Sequence, residues 1–228
     1  YLMVEQQFAK YPWCQRAIRG IFEEVRKRRI HVQEVSELPG GAEERSCVLL
    51  VGASEEWINQ TAREAGSLGL HPVVLSNRET NSSGLSVSSV KMDIHSSMEL
   101  AVDYLRTLGR ERLALFGVNP SASSDLWRAR RFGELTGREG DVFFLGASVA
   151  EIFDRFYEKI HRYDGVICAS DYAAVSLVGR LREKNYAIPE KLYVVGYGDM
   201  FLSRLFRPSI TSISDDYESF GKAALAIC

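Results

Sequence analysis

The sequence predicts an α/β protein built from doubly wound parallel sheets, and three observations support this fold class. Short β-rich runs alternate along the chain with longer runs of helical periodicity, which is typical of parallel sheets covered by helices on both faces. Hydrophobic residues make up 46% of the 228 residues, enough for a substantial core. No apolar run approaches the ~18 residues that a membrane span needs. We therefore expect a soluble protein with no membrane partner.

The strands are predicted from short runs of β-branched and aromatic residues. Seven such runs lie at 47–52, 72–75, 87–92, 112–117, 141–145, 164–169 and 192–197. The residues that follow Tyr1 also look like a strand. Seven or more strands exceed what one small doubly wound sheet needs, so the pattern favours two lobes.

Helices are predicted where apolar residues recur at helical spacing, around 18–25, 100–108 and 174–181. The first run ends in the basic cluster RKRR (26–29), where cations meet the negative end of the helix dipole. The second stops at Gly109, and the third is followed by Ile188-Pro189, which cannot continue a helix. RKRR could also be taken for a nucleic-acid patch, but basic residues at the end of an amphipathic helix are usually a solvated face.

The overall charge does not suit a chain that binds nucleic acid without a further segment. The net charge is −2 and the isoelectric point is near 6.2, whereas phosphate contacts require a clustered basic surface. Any DNA binding therefore belongs to another segment. The chain begins inside a strand-like run and ends inside a helix-like run, so we expect it to be a piece of a longer protein.

The cysteines predict a reducing compartment. Cys14, Cys47, Cys168 and Cys228 are widely spaced and form no CxxC pair. All four are therefore expected to be free thiols in a cytoplasmic protein.

No motif in the sequence indicates catalysis or metal binding. The chain has no phosphate-binding GxxxxGK[ST] loop, no GxGxxG, no GxSxG and no HExxH, and its four histidines lie in separate segments. Asp215 and Asp216 are adjacent carboxylates, but they precede a helical stretch, where capping explains them. The sequence therefore predicts no enzyme and no cofactor.

A ligand site is expected at the strand-to-helix turns, because ligands of open parallel sheets bind beyond the carboxyl ends of the strands. These turns are rich in Ser, Asn, Asp, Arg and aromatic residues, which suits a small polar molecule and equally suits solvation. They lie at 8–13, 76–78, 93–97, 119–125, 146–148, 170–172 and 198–201. In one of them Asp171 stands where an N-cap belongs, so its predicted role is that of a structural cap.

The last third of the chain carries an ordered set of motifs. A strand, DGVICA (164–169), precedes Asp171 and a helix, and then come IPE (188–190), VVGYGD (194–199), PSITSI (208–213) and a GxxA helix from Gly221. This order and spacing resembles the ligand-binding domain of LacI/GalR family transcriptional regulators. Upstream, YPWCQRAIRGIF (11–22), HPVVLSNR (71–78) and VKMD (90–93) resemble further segments of the family, while 33–48 is shorter than usual, which predicts a lost helix.

The resemblance implies the periplasmic-binding-protein type I fold, with two doubly wound parallel-sheet lobes joined by three crossovers and a small effector in the cleft between them. The N-terminal lobe would comprise residues 1–109 and 199–213, and the C-terminal lobe residues 110–198 and 214–228. The family also implies a homodimer, and a helix-turn-helix upstream of Tyr1 that binds operator DNA.

The resemblance implies effector-binding roles at several positions. Arg128 in RARRF (128–132) matches the pocket arginine of R-x-x-G-F, and Ser124 lies four residues before it. Trp13 matches an aromatic residue of N-P-F-F, and a flat, rigid ring suits stacking on a sugar or base. Asp93 matches the aspartate that begins the crossover helix.

Two positions depart from the family's pattern. Ser170 replaces the asparagine of A-N-D, and Gly198 replaces the first aspartate of D-D, which commonly binds the effector. Loss of that carboxylate removes a charge-assisted hydrogen bond worth roughly 1.5–3 kcal/mol. The sequence therefore predicts either an unusual ligand or a degenerate pocket at these two positions.

Structural alternatives stay open for two of the matched side chains. Arg128 could pair with Glu134 or Asp125 on the surface, and Trp13 could belong to the core. Tertiary contacts decide between these roles.

The function that the resemblance implies is effector sensing: a sugar or related polar metabolite would bind and control DNA binding allosterically. Two alternatives differ in class. A solute-binding protein of a transport system has the same fold, but a signal peptide would precede it and four unpaired cysteines would be unusual. An enzyme would need a nucleophile, a base and an orienting group, which the sequence does not assemble.

Overall fold

The computed structural model describes residues 1–41, 46–76, 87–146 and 149–228. The chain divides into two compact units. The first unit comprises Tyr1–Met92 and Asp216–Cys228, and the second comprises Asp93–Asp215. Both are α/β units with parallel sheets, which confirms the predicted fold class.

The first unit has a four-stranded parallel sheet in the order β1-β2-β3-β4. Its elements are β1 (Leu2–Val4), α1 (Pro12–Arg28), β2 (Cys47–Val51), α2 (Glu55–Ser67), β3 (His71–Leu75), β4 (Ser88–Val90) and a last helix at Tyr217–Ile227. An isolated parallel bridge joins Leu2 to Glu34. Strand β1 therefore has neighbours on both sides, as the first strand of a doubly wound sheet does.

Apolar strands bury both faces of this sheet, because helices lie on each side of it. Alternate residues of β2 face opposite layers, so Leu49 packs with α1 and the last helix, whereas Leu50 packs with α2. Within α2 the residues that reach the sheet are Ile58, Ala62 and Ala65, spaced at three to four residues as a helix face requires.

The second unit has a five-stranded parallel sheet in the order β6-β5-β7-β8-β9. Its elements are α3 (Ile94–Thr107), β5 (Leu113–Val118), α4 (Ser123–Thr136), β6 (Val142–Phe144), α5 (Val149–Glu158), β7 (Gly165–Cys168), α6 (Asp171–Glu183), β8 (Tyr193–Tyr197), α7 (Phe201–Leu205) and β9 (Thr211–Ile213). The last helix of the chain, Tyr217–Ile227, is then α8. Short 3₁₀ turns lie at Glu139–Asp141 and Ile160–Arg162.

Two apolar layers cover the second sheet. On one face Phe116, Phe143 and Phe156 form edge-to-face aromatic pairs, which suits the ring quadrupoles. On the other face Leu115 and Ile167 pack with residues of α3 and α4. The interior strands β5 and β7 are therefore fully buried.

All seven predicted strand runs are confirmed, because each overlaps one of β2 to β8. The strand-like run after Tyr1 is β1. The predicted strand runs do not include β9, whose residues lie in the motif PSITSI (208–213).

The predicted lobe boundaries are wrong in three segments. Helix α3 belongs to the second unit, β9 pairs with β8 of that unit, and α8 belongs to the first unit. Within the described residues the chain passes between units twice, after Met92 and after Asp215, and not three times as predicted.

Two glycines explain why α8 packs against α1. A Cβ on Gly20 would lie 2.0 Å from the carbonyl oxygen of Glu218, and a Cβ on Gly221 would lie 2.0 Å from that of Ala17. The two helix backbones touch at these positions, and only glycine permits such an approach. Lys222 and Glu23 add an ion pair of 2.9 Å between the helices.

The prediction of four free thiols is wrong for two of them. Cys47, at the start of β2, and Cys228, after α8, form a disulfide across 181 residues of sequence. Their Cα atoms lie 5.6 Å apart, within the usual range. Packing of α8 on the first sheet brings them together, which sequence spacing could not reveal. Cys14 and Cys168 are free and buried.

Some predicted features lie outside the described residues, namely Asn77 and Arg78 of one turn and Ala147 and Ser148 of another. The described parts of 33–48, which are 33–41 and 46–48, contain no helix. In the part of the chain that the structure describes, no helix is both long and apolar enough to cross a membrane, and no three metal-ligating side chains are grouped around a possible ion.

Candidate functional site

The second sheet has the strand order that creates a ligand crevice. Strand β5 lies between β6 and β7, so the connections that leave β5 and β6 run in opposite directions. Open sheets bind ligands at such a switch point, beyond the carboxyl ends of the strands. The turns at this edge contain Ser124, Ser170 and Gly198, three of the predicted site residues.

Arg128 is the central charged group at this edge. Its side chain is only 7% exposed, and it pairs through Nη1 with Asp125 Oδ1 at 2.8 Å and through Nη2 with Asp215 Oδ2 at 3.3 Å. The guanidinium also lies 4.0 Å from the centre of the Tyr197 ring, a cation–π geometry. Of the structural alternatives, pairing with Asp125 is therefore correct, but the pair is buried and not on the surface.

The charge on Arg128 is maintained by its neighbours. Burial alone would lower the pKa of the guanidinium, but Tyr197, Asp215 and Asp125 outweigh burial and raise it. Its Nε is buried and finds no hydrogen-bond acceptor among the described residues. Glu134, the other predicted partner, pairs with Arg130 and Arg131 instead.

Tyr197 links this arginine to α3. Its hydroxyl donates to Ser97 Oγ in the first turn of α3, so that turn lies at the same edge of the sheet. Burial, together with the nearby Asp215 carboxylate, raises the pKa of Tyr197. The phenol is therefore a neutral hydrogen-bond donor at neutral pH.

Asp93 begins α3 as its N-cap. Its Oδ1 accepts the backbone N–H of Ser96 at 3.0 Å and its Oδ2 accepts the Ser96 hydroxyl at 2.6 Å. These hydrogen bonds lower the pKa of Asp93. The residue is exposed, and its present contacts are those of a cap.

Ser170, and not Asp171, caps α6 in the structure. Ser170 is the N-cap of α6, since its Oγ accepts the N–H of Ala173 at 3.2 Å. Asp171 is fully buried and accepts the N–H of Met200 and the hydroxyl of Ser212, each at 2.6 Å. The prediction that Asp171 caps its helix is thus wrong, because its carboxylate joins the turn after β8 to β9.

Gly198 occupies a backbone conformation that side chains rarely adopt. Its φ is +111°, and the next residue, Asp199, has φ of +47°. An aspartate at position 198 would therefore need a different backbone here. Asp199 is paired with Arg204 through both carboxylate oxygens.

Trp13 lies in the first unit and is half-buried against its core. Its ring centre is 6.1 Å from that of Phe8 and 6.3 Å from that of Tyr217. The core alternative therefore accounts for one face of this ring. Neither unit by itself brings Trp13 together with the other predicted site residues.

Sequence reasoning did not assign Tyr197 and Asp215 to the site, and it considered Asp125 only as a surface partner of Arg128. The spacing of three residues between Asp125 and Arg128 is a pairing signal on a helix. Asp215 was explained as a cap, but Asp216 has that role, since it accepts the N–H of Ser219 at 3.0 Å. Only the position of β9 shows that Asp215 meets Arg128.

Comparison with known sequences gives a consistent family. The periplasmic binding protein-like domain model matches residues 102–228. The regulator RegA of Clostridium saccharobutylicum is 32% identical over 90 residues, which is 40% of this chain and 24% of that protein. The transcriptional repressor PurR of Vibrio atlanticus is 35% identical over 74 residues, which is 32% of this chain and 22% of that protein. The matched segment thus spans about a quarter of each relative's length.

Solved structures agree in fold. The regulator CelR in complex with cellobiose has a TM-score of 0.73 at 19% identity and matches 99% of this chain and 75% of its own. A LacI family regulator from Enterococcus faecium with bound ribose has a TM-score of 0.69 at 17% identity and matches 99% and 87%. Since the family model covers more than half of the chain, this chain belongs to the periplasmic binding protein-like domain family, and its resemblance to LacI/GalR regulators is confirmed.

Proposed function

We propose that this chain is the effector-sensing domain of a LacI/GalR-type regulator, which binds a sugar or related polar metabolite and controls DNA binding allosterically. The relatives RegA and PurR are transcriptional regulators, and they favour this function over transport. Two structural neighbours hold cellobiose and ribose. No enzymatic activity is part of the proposal.

The observation that carries the proposal is the buried Arg128 cluster at the carboxyl edge of the second sheet. Two carboxylates and one aromatic face hold the guanidinium in one orientation. A donor with fixed geometry can recognise hydroxyl oxygens without first losing its own conformational freedom. Ser124, in the first turn of α4, adds a hydroxyl one helical turn before Arg128.

Asp215 takes over, in this proposal, the role of the carboxylate that position 198 lacks. Strands β8 and β9 are neighbours, so the ends that carry Gly198 and Asp215 are adjacent. A carboxylate at the end of β9 supplies an acceptor for effector hydroxyls at the same edge. The departure at Gly198 then changes the position of the carboxylate and does not leave the site without one.

Effector binding would stabilise one conformation of the domain over another and thereby change the DNA affinity of an attached helix-turn-helix. Regulators of this kind read paired half-sites as homodimers, and we propose that this protein is a cytoplasmic homodimer. Phe201 and Leu205 of α7 are 73% and 54% exposed, and Tyr172 of α6 is 62% exposed. These apolar side chains are the candidate dimer surface, to be tested by the molecular mass of Phe201→Ser in solution.

The proposal is tested by calorimetric titration of the protein with ribose, cellobiose and sucrose. The informative variant is Arg128→Lys, which keeps the charge but loses the planar fork. Arg130→Lys is the matched control, because Arg130 lies on the same helix with a side chain that is 72% exposed. We expect a sugar to bind the natural protein and Arg130→Lys equally, and Arg128→Lys at least about tenfold more weakly, as loss of a charge-assisted hydrogen bond predicts.

Equal affinity of all three proteins would contradict the assignment of Arg128. Absence of heat with every sugar, in a protein that unfolds cooperatively, would contradict a sugar effector. A panel of nucleobases and amino acids would then identify the effector class.

A further inference from the structure

The first unit contains a cavity whose described lining residues include no member of the Arg128 cluster. It has a volume of about 440 Å³, within the range of small-molecule sites. The cavity lies at the carboxyl end of β1, between the residue-36 segment and the start of α2. Its wall includes Glu5, Glu56 and Trp57, together with the amides of Gln6, Gln7 and Gln60.

The cavity lies beside a crossover of the sheet whose described residues contain no helix. The bridge at Glu34 and strand β2 lie on opposite sides of β1, so the chain between them must cross over β1. Parallel strands usually make this crossing through a helix, but the described residues 35–41 and 46 form none. Leu38, Met3 and Trp57 each pack against the buried cluster that includes Leu50 and Ile58, and Met3 and Trp57 also line the cavity.

A carboxylate already occupies the anion-binding position next to this cavity. The N–H groups of Ala53 and Ser54, which directly precede α2, point toward Glu5, and a helix start of this kind attracts anions. Glu5 Oε2 accepts the N–H of Ala53 at 2.9 Å and of Ser54 at 3.0 Å. Its Oε1 accepts from the Ser54 hydroxyl and from Gln7 Nε2. A phosphate or carboxylate ligand would therefore meet a fixed negative charge where it needs a positive one.

Glu5 is ionised at neutral pH. Burial by itself would raise its pKa, but the hydrogen bonds from Ser54, Gln7 and Ala53 outweigh burial and lower it. The carboxylate therefore contributes a full negative charge to the cavity wall.

The carboxylate and the Trp57 ring are held together by a glycine. A Cβ on Gly52 would lie 2.7 Å from Glu5 Oε2 and 2.7 Å from Trp57 Cζ3. Both groups thus pack directly on the Gly52 backbone, and any side chain there would displace them. The wall of the cavity is therefore organised before a ligand arrives.

The charge of the wall has one sign. Glu5 and Glu56 are carboxylates, and the described residues that line the cavity include no Lys, Arg or His. An aromatic face beside carboxylates is the arrangement that recognises ammonium groups, through cation–π attraction and Coulomb energy together. The three amide carbonyls can accept N–H groups as well.

We propose that this cavity binds a small organic cation, with its ammonium group between Glu56 and Glu5 and its carbon atoms on the Trp57 ring. Glu5 has its hydrogen bonds within the protein and acts through its charge, while Glu56 accepts from the ligand. All described residues that line this site belong to the first unit, whereas Arg128 and its partners belong to the second.

Calorimetric titration of the natural protein with putrescine and with tetramethylammonium tests the proposal. We expect at least one of the two to bind, and Trp57→Leu to weaken that binding about fivefold or more, as loss of a cation–π contact predicts. Glu56→Gln should weaken it to a similar extent. Glu55→Gln is the matched control, because Glu55 lies in the same helical turn but does not line the cavity, and its affinity should stay that of the natural protein.

Absence of binding by both cations would overturn the proposal, as would equal weakening by Glu55→Gln and Glu56→Gln, because that would indicate only general charge attraction. Binding of ribose that is lost in Trp57→Leu would overturn the cationic class. Arg128→Lys separates the two sites: it should leave cation affinity unchanged while it weakens the sugar.

Discussion

The two sheets have a similar strand order but differ in the charges at their carboxyl edges. In each unit the first strand has neighbours on both sides, β1 between the Glu34 bridge and β2, and β5 between β6 and β7. The edge of the first sheet has Glu5, with no cationic side chain among the described residues that line its cavity. The edge of the second sheet has a buried arginine between two aspartates.

This difference shows that the order of the strands decides where a site lies, whereas the residues of the turns decide what the site binds. Both edges expose helix starts and strand ends, because parallel sheets always do. Glu5 neutralises the helix start of the first unit from a neighbouring strand. In the second unit Asp171 joins the turn after β8 to β9, and α6 is capped by its own Ser170.

The largest effect on stability is expected when Arg128, the buried cation at the carboxyl edge of the second sheet, is replaced. Arg128→Met leaves Asp125 and Asp215 without their common partner, and breaking a buried pair in this way costs about 3–5 kcal/mol. Urea unfolding should show this loss, while Arg130→Met, with a side chain 72% exposed, should change stability by less than about 0.5 kcal/mol. Equal effects of the two substitutions would mean that the cluster contributes nothing specific.

The next effect concerns the disulfide, which only the first unit has among the described residues. Closing a loop of 181 residues stabilises a protein by about 2–4 kcal/mol, so reduction should lower the melting temperature of the natural protein but not of Cys47→Ser. After reduction, alkylation should modify Cys47 and Cys228 first. Burial raises the pKa of Cys14 to about 11 and that of Cys168 further, which keeps both as thiols.

The proposed cytoplasmic location makes this measurement important, because reducing compartments keep most cysteines as thiols. If protein isolated under conditions that prevent thiol exchange has four alkylatable cysteines, the bond is absent in the cell. The first unit would then carry Cys47 and Cys228 as free thiols in the cell.

A third prediction tests the assignment of α8 to the first unit. Gly20→Ala places a methyl group against the Glu218 carbonyl, and such overpacking costs about 1–3 kcal/mol. Gly179→Ala is the control, since a Cβ there meets nothing within 4 Å, and the better helix propensity of alanine should stabilise α6 by about 0.5–1 kcal/mol. Thermal unfolding that moves in the same direction for both variants would argue against the helix contact.

The smallest effect on stability is expected for Glu5, which accepts hydrogen bonds at the start of α2. Glu5→Gln keeps the shape but removes the charge from the start of α2, and loss of a cap costs about 1 kcal/mol. The folded-state pKa of Glu5 lies below its ordinary value of 4.5, so the stabilisation is present above pH 4.5 and disappears as the pH falls through the folded pKa. The difference in stability between the natural protein and Glu5→Gln should therefore shrink in acid. A difference that stays constant down to the folded pKa would mean that the charge of Glu5 is not what stabilises α2.

Several features could be predicted from sequence because they are local. The periodicity of CVLLVG (47–52) and DGVICA (164–169) predicts buried strands at the right places. The helix around 100–108 ends at a glycine with φ of +72°, as Gly109 predicts. The motifs from Asp171 to Gly221 identify the family, because their order and spacing are specific.

Other features depend on residues far apart in the chain. Asp215 follows Arg128 by 87 residues, and the two meet only because β9 lies beside β8. Asp171 bonds to Ser212 over 41 residues, which is why its capping role could not be excluded from sequence.

By itself the sequence determined the alternation of strands and helices, the family and the positions of the turns, since each follows from periodicity and short motifs within one element. Only the tertiary structure decided that α8 joins the first unit, that Cys47 meets Cys228, and that Arg128 lies between two aspartates. The physical reason is that a parallel sheet brings together the ends of strands that are distant in sequence, and neither periodicity nor spacing records which of those ends become neighbours.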